Sequence, residues 1–117
     1  MQGMKLIDPR KNPVVPTPDH TQVTSQEIAG KTVGAKSCDV KLGVYAPGGE
    51  SIFHDHPRSE HVFYLLKGRL TAIDGAKKEI TVHQGQALYI PAGEKHMVVN
   101  RGKEDALYVA VTAPPTN

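Results

Sequence analysis

The residues of this chain best suited to chemistry are histidines, and three of its six histidines lie within eight positions. These are His54, His56 and His61, in the segment HDHPRSEH. Side chains alternate faces along a strand, so His54 and His56 point the same way, about 6.6 Å apart. Two imidazoles at that spacing can tilt onto one metal ion at about 2.0–2.1 Å. Paired histidines are also common on surfaces or in satisfied cores, so this segment alone leaves both interpretations open.

The elements around these histidines follow a β rhythm from about residue 33 onward. Short runs rich in Val, Ile, Leu and Tyr are broken by Gly, Pro, Asp and Asn. Eight strands are predicted, over residues 39–45, 51–56, 60–66, 69–73, 79–82, 87–90, 96–100 and 106–112. Such frequent turns without a helical period are typical of an all-β sandwich or barrel. Only residues 24–29 could hold a helical turn.

The first part of the chain differs from the rest because prolines punctuate it. Four of them lie within its first eighteen residues and remove backbone donors, so no regular helix is expected. The sequence predicts an extended arm over residues 1–27 and a barrel domain over residues 28–117. The arm either drapes over the barrel, reaches a partner subunit or frays as a free terminus.

Composition narrows the function classes. The 117 residues fit one domain, and 38% hydrophobic with 22% charged residues is typical of an ordinary globular protein. The net charge is only +2 and the basic residues are scattered, which argues against a nucleic-acid surface. A lone cysteine, Cys38, cannot form an internal disulfide, and no apolar run reaches the roughly 20 residues of a membrane span. We expect no signal peptide, no membrane partner and a cytoplasmic location.

Glycines and prolines surround the histidines in two spaced motifs. The first is Gly48-x5-His54-x-His56-x4-His61-x6-Gly68, and the second is Gly85-x5-Pro91-x-Gly93-x2-His96-x3-Asn100. Together they resemble the two signature motifs of the cupin superfamily, in particular small single-domain bacterial cupins of the "cupin 2" type. The resemblance covers about residues 40–112. It implies a double-stranded β-helix (jelly-roll) barrel, one divalent transition metal per chain (Mn, Fe, Ni, Zn or Cu) and a homodimer.

One position departs from the family pattern and leaves the metal ligands open. The family's third ligand is usually a glutamate, but its place here is taken by His61, with Glu60 one residue earlier. A one-residue register shift would turn the strand over and restore Glu60. Both faces of this strand carry apolar residues, so alternation alone cannot decide between them. We prefer the set His54, His56, His61 and His96, with Asn100 bonding backbone rather than metal.

Four neutral imidazoles would leave a divalent ion its full +2 charge, a strong Lewis acid that attracts anionic oxygen ligands. The predicted function is therefore an enzyme acting on a small oxygen-rich molecule. Dioxygenase-type oxidation is one version, and isomerase or lyase chemistry through a metal-bound enolate is another. The alternative is a non-catalytic module that binds a sugar or organic acid. Weak candidates for acid–base catalysis are Glu60, Tyr45 and Tyr108; His83 is expected at the surface, and His20 receives no role.

Overall fold

A computed structural model describes residues 3–115 of the chain. Two short 3-10 helices, Pro9–Lys11 and Lys31–Val33, accompany the strands. The strands of this described part are β1 (Val14–Pro16), β2 (His20–Ala29), β3 (Asp39–Ser51), β4 (Glu60–Lys67), β5 (Arg69–Asp74), β6 (Glu79–His83), β7 (Ala87–Ile90), β8 (His96–Val99) and β9 (Ala106–Ala113). The all-β prediction is confirmed. Within residues 3–115 no helix is long and apolar enough to cross a membrane.

The strands pair antiparallel in the order β6-β5-β8-β3-β9-β4-β7, and β2 joins the free side of β3. Strand β3 is shared between the two halves of the fold. Its first part pairs with β9 from Asp39 to Tyr45, and its far end meets β8 through Glu50 and Val99. The result is a nearly closed antiparallel barrel, the jelly-roll architecture that the motifs predict.

Strand β4 shows how the barrel separates inside from outside. Phe63 and Leu65 are buried, whereas Val62 and Tyr64, which alternate with them, are exposed. From His61 to Leu65, the odd-numbered residues of β4 therefore face the interior, where Phe63 and Leu65 join the core. Each fully buried side chain of this size contributes roughly 1.5–3 kcal/mol of hydrophobic stabilisation. The other core residues are Val23, Tyr45, Leu70, Ala72, Val82, Ile90, Val98 and Ala106.

The N-terminal part of the chain is more ordered than an arm. Strand β2 pairs with β3 along the whole of His20–Ala29, so the predicted boundary between residues 27 and 28 falls inside a strand. The helical turn suggested for residues 24–29 is wrong. Pairing with the otherwise open edge of β3 gives the backbone N–H and C=O groups of both strands hydrogen-bond partners. These hydrogen bonds between distant segments outweigh the local conformational preferences of residues 24–29.

The segment around the first motif also differs from expectation. Strand β3 continues through Ala46–Gly49, where a break was predicted, because β2 and β8 pair with it beyond that point. Ser51 ends β3, and the rest of the predicted strand over residues 51–56 is a loop that is joined to the sheet by the bridge between His54 and His96. The strand-alternation argument for His54 and His56 therefore does not apply, although both side chains still converge.

Candidate metal centre

Backbone hydrogen bonds bring the two histidine motifs together. His54 N–H donates to His96 O at 2.9 Å, and His96 N–H returns a bond to His54 O at 2.8 Å. Gly93 N–H donates to His56 O at 3.0 Å, from a positive φ of 81° that suits glycine. The glycine and histidine positions of the second motif thus anchor the loop that carries the first.

Three histidines meet at this junction. His54, His56 and His96 each offer a nitrogen, and these nitrogens lie within 4.8 Å of one another. The ring centre of His54 is 4.7 Å from those of both His56 and His96. Nitrogens bound to one ion at about 2.1 Å can be at most about 4.2 Å apart. Small side-chain rotations would therefore bring the three nitrogens within reach of one ion.

His61 lies beside these three rings. It occupies an odd, inward position of β4, and its ring centre is 4.0 Å from that of His56 and 6.5 Å from that of His96. Its Nδ1 lies 3.2 Å from Thr112 Oγ1, whereas its Nε2 is buried without a hydrogen-bond partner among residues 3–115. Buried polar atoms are rarely left unpaired, so an orphaned imidazole nitrogen beside three others fits a metal ligand.

Glu60 lies on the opposite face of β4. Its side chain is exposed, and the hydroxyl of Tyr89 donates to its Oε1 at 2.5 Å. Tyr89 is itself 56% exposed on the outside of the barrel. The structure therefore does not bring Glu60 to the histidines, and the suggestion that it acts near the cavity mouth is not supported by its position.

Two of the clustered histidines are oriented by backbone carbonyls. Nδ1 of His54 donates to Ile52 O at 2.7 Å, and Nδ1 of His96 donates to Glu94 O at 2.8 Å. A carbonyl only accepts, so the proton sits on Nδ1 and the Nε2 lone pair is free. This is the arrangement by which proteins fix the tautomer of a metal-binding histidine.

Three of the clustered imidazoles favour the neutral form because their pKa values are lowered. Burial, together with charge repulsion from the neighbouring rings of His56 and His96, lowers the pKa of His61 to about 4. Burial also lowers the pKa of His56 and of His96, against the raising influence of the nearby Asp55. Neutral imidazole is the form that binds metal, so these rings need not lose a proton near pH 7.

The histidines open onto a cavity of about 520 Å³ inside the barrel. Its walls are largely apolar and aromatic, formed by Tyr45, Phe63, Ile90, Val98 and Tyr108. Four charged residues also line it, namely Asp19, Asp39, Lys41 and Asp55. A pocket with apolar walls and a few convergent polar groups has the properties expected of a small-molecule site.

Tyr45 and Tyr108, both candidates from the sequence, do lie in this cavity, with ring centres 5.5 Å apart. Burial raises the pKa of each phenol well above its usual value, and in Tyr45 the nearby Tyr108 raises it further. Both therefore stay protonated at neutral pH and can donate hydrogen bonds. Gly43 lies directly opposite Tyr108 in the ladder and leaves room for its ring.

His20 also lines the cavity, although no role was predicted for it from the sequence. Strand β2 places its ring 5.9 Å from that of Tyr45 and 6.1 Å from that of His54. Burial lowers the pKa of His20. The proline-rich context around His20 carries no periodic signal, and only its pairing with Ser51 of β3 reveals its position.

Asn100 and His83 lie away from the histidine cluster. Asn100 is almost fully buried, and its amide donates to Tyr45 O and Glu104 O, each at 2.9 Å, while its Oδ1 accepts from Gly102 N–H. It bonds backbone, as predicted. His83 is exposed and lines an open surface depression with Arg69 and Lys103, separate from the histidine cavity.

Fold and site together define a jelly-roll barrel with an internal histidine cluster. Residues 41–112 match the cupin domain model Cupin_2, so the chain belongs to the cupin family, which confirms the resemblance of its motifs. Within the family it is similar to the Streptomyces glaucescens tetracenomycin polyketide synthase protein TcmJ. The two are 31% identical over 100 residues, which cover 83% of this chain and 66% of TcmJ.

Other relatives carry different names. The chain is 32% identical to auxin-binding protein 1 of Arabidopsis thaliana over 98 residues, which cover 75% of this chain and 49% of that protein. It spans about half to two thirds of the length of these curated relatives. The polyketide cyclase RemF from Streptomyces resistomycificus shares the fold, with a TM-score of 0.83 and 22% identity. That match covers 97% of this chain and 81% of RemF.

Proposed function

We propose that this cupin is a metal-dependent enzyme whose ion is held by His54, His56, His61 and His96. The observation that carries the proposal is the convergence of three histidine nitrogens beside the buried, unpaired Nε2 of His61. Imidazole donors suit Zn, Cu, Fe and Ni, and cupin membership adds Mn. An ion bound there would supply Lewis acidity toward oxygen atoms of a ligand in the cavity.

The charged residues of the cavity limit which ligands fit. Three carboxylates, those of Asp19, Asp39 and Asp55, line the cavity together with one ammonium. This ammonium belongs to Lys41, and its Nζ lies 3.6 Å from Asp39 Oδ2. The carboxylates oppose much of the +2 charge that four imidazoles leave uncompensated. A neutral or singly charged ligand suits this field better than a highly charged anion.

The cavity walls favour proton transfer next to a carbonyl, as in isomerase, lyase or cyclase chemistry, over oxidation. Tyr45 and Tyr108 are protonated donors inside the cavity, able to stabilise negative charge that develops on a substrate oxygen. Phe63 and Ile90 contribute apolar wall to the same space. The similarity to TcmJ agrees with a substrate rich in carbonyl and phenol oxygens, because polyketides are such molecules.

The test begins with metal content. After metal add-back, the protein is expected to hold about one transition-metal ion per chain, as a site with four protein ligands should. A chain that stays metal-free, and is not stabilised by Mn, Fe, Ni, Zn or Cu, would contradict the proposal.

Substrate loss and oxygen uptake then separate the functions. The metal-loaded protein is incubated with diketones, phenols and sugar acids, and both quantities are followed. Loss of a compound without oxygen consumption supports enolate chemistry, whereas matched oxygen uptake indicates a dioxygenase. A compound that raises the melting temperature and is never converted would favour the second candidate, a small-ligand binding module, which the similarity to an auxin-binding protein also favours.

A further inference from the structure

His20 is a histidine of the cavity that belongs to neither cupin motif. It comes from β2, not from the strands and loops that carry the four clustered histidines. Its ring is half-buried and lies edge-on to both Tyr45 and His54. It therefore reaches the cavity from a different element than the proposed metal ligands do.

The backbone is distorted on both sides of His20. Asp19 and Gln22 have φ values of 60° and 58°, in the left-handed region that residues other than glycine rarely occupy. The β2–β3 register also shifts between Thr21 and Val23, which marks a bulge. Bulges next to binding sites re-aim side chains, and strained backbone concentrates at functional positions.

Glycine in β3 makes room for this bulge. A Cβ on Gly49 would lie only 2.7 Å from the backbone oxygen of Gln22 and 2.9 Å from that of Ala46. Neighbouring Gly48 has a φ of 81°. Two glycines and two left-handed residues thus combine to hold β2 in the path that directs His20 inward.

The tautomer of His20 is set by its own loop. Its Nδ1 donates to Pro18 O at 2.7 Å, so in the neutral ring Nε2 carries a lone pair and no proton. The bond to Pro18 leaves Nε2 as the ring nitrogen available to a ligand. His20 can therefore accept a hydrogen bond, while the phenols of Tyr45 and Tyr108 can donate one.

We propose that His20 contacts the substrate and selects molecules bearing a hydroxyl beside their chelating oxygens, by accepting a hydrogen bond from that hydroxyl through Nε2. This inference rests on the proposed metal site, because the ion would hold the substrate's other oxygens. It names the substrate class as phenols or enols with at least three adjacent oxygen functions. His20 is not a metal ligand in this assignment.

The experiment compares catechol with pyrogallol, which differ by one hydroxyl next to the chelating pair. Binding to the zinc-loaded protein is measured by calorimetry under argon, since zinc is redox-inert. We expect pyrogallol to bind about five- to tenfold more tightly, the size of a net hydrogen bond. In His20→Phe the preference should fall to about twofold, because pyrogallol offers two equivalent chelating pairs. Catechol affinity and zinc content should not change.

Two further variants sharpen the result. His20→Gln keeps an acceptor oxygen and should retain part of the preference, whereas His83→Phe, at the outer depression, should retain all of it. Loss of zinc in His20→Phe would overturn the inference, because His20 would then be a ligand. So would an unchanged preference, an equal loss for both compounds, or zinc-loaded protein that binds neither. Failure of the unaltered protein to bind zinc or any other transition metal is a different result, which contradicts the proposed function and the inference with it.

Discussion

At the scale of single residues, the choice between His61 and Glu60 decides the chemistry of the site. His61 faces inward beside His56, and Glu60 faces outward to Tyr89. A carboxylate ligand would remove one positive charge from a bound ion, whereas a fourth imidazole leaves the ion more Lewis acidic. The orientation of β4 thus determines how strongly the proposed centre would polarise a substrate.

We therefore expect His61→Ala to weaken metal binding by more than about tenfold, because a direct ligand should matter at least as much as an outer-shell partner. Glu60→Ala is the matched control and should keep its metal, since it removes only an exposed hydrogen bond to Tyr89. Metal titration of both apoproteins measures the two affinities. Metal loss in Glu60→Ala with retention in His61→Ala would contradict the four-histidine set.

The low pKa of His61 predicts how the apoprotein responds to acid. The folded-state pKa is about 4, below the value of about 6.5 expected when the chain unfolds, so the unfolded state binds a proton more readily between these limits. The free energy of unfolding should be highest above pH 6.5 and fall as the pH drops toward 4. The loss attributable to His61 is on the order of 1–3 kcal/mol.

Denaturant unfolding of the apoprotein between pH 4 and 8 measures this loss, with His61→Phe as the reference. The variant lacks the titrating group and should show a shallower decline. Equal declines in the two proteins would mean that His61 does not contribute to the acid sensitivity.

At the scale of elements, the bulge of β2 depends on the absence of a side chain at Gly49. The Cβ of an alanine there would press on two backbone oxygens, which cannot move as a side chain can. We expect Gly49→Ala to destabilise the protein by about 1–3 kcal/mol, as overpacking typically does.

Gly75→Ala serves as the control for this substitution. Its added Cβ would meet only Lys95 Cβ at 3.8 Å, an ordinary contact, so stability should hardly change. Thermal or denaturant unfolding of both variants measures the difference. Equal stabilities would show that the bulge relaxes without strain.

The same elements show what a single sequence can predict. Gly, Pro and Asp breaks located β4 to β9 within a residue or two, because turns require those residues. The resemblance of the two motifs to those of cupins predicted that His54 and His96 lie close together, and a backbone bridge joins the two residues. Local propensity gave the wrong prediction for Ala46–Gly49 and for β2, which are both strand. Pairing between distant segments outweighs local preference at these places. The sequence could not predict whether the side chain of His61 points into the barrel, because both sides of β4 carry apolar residues.

At the scale of the whole molecule, the outer surface of the barrel carries an apolar patch. Val62, Tyr64 and Leu66 of β4 are exposed, and Tyr89 of β7 lies directly beside Val62. Contiguous exposed apolar residues of this kind mark interaction surfaces. Glu60 and Lys67 lie at opposite ends of the strand, so a second copy related by a twofold axis would pair unlike charges.

We therefore predict a homodimer formed through this patch, as the cupin resemblance implies. Tyr64→Asp should shift it to a monomer at tens of micromolar, because a twofold interface would bury two unpaired carboxylates. Ile80→Asp, at an exposed position of β6, is the control and should remain dimeric. Light scattering measures the mass, and a monomeric unaltered protein would contradict the prediction.

The hairpin formed by β1 and β2 contributes residues to the cavity but none to the proposed metal site. The proposed metal donors come from the first-motif loop, β4 and β8, whereas His20 and the cavity residues Thr17, Pro18 and Asp19 come from the N-terminal strands and the turn between them. In the proposed assignment, the residues that bind the ion and the histidine that selects the molecule thus lie in separate stretches of the chain. An exchange of residues 14–22 with another cupin should transplant substrate preference and leave metal affinity intact. Binding of catechol and pyrogallol to the zinc-loaded chimera measures the exchange, and transfer of the preference would identify the N-terminal strands as an interchangeable specificity module.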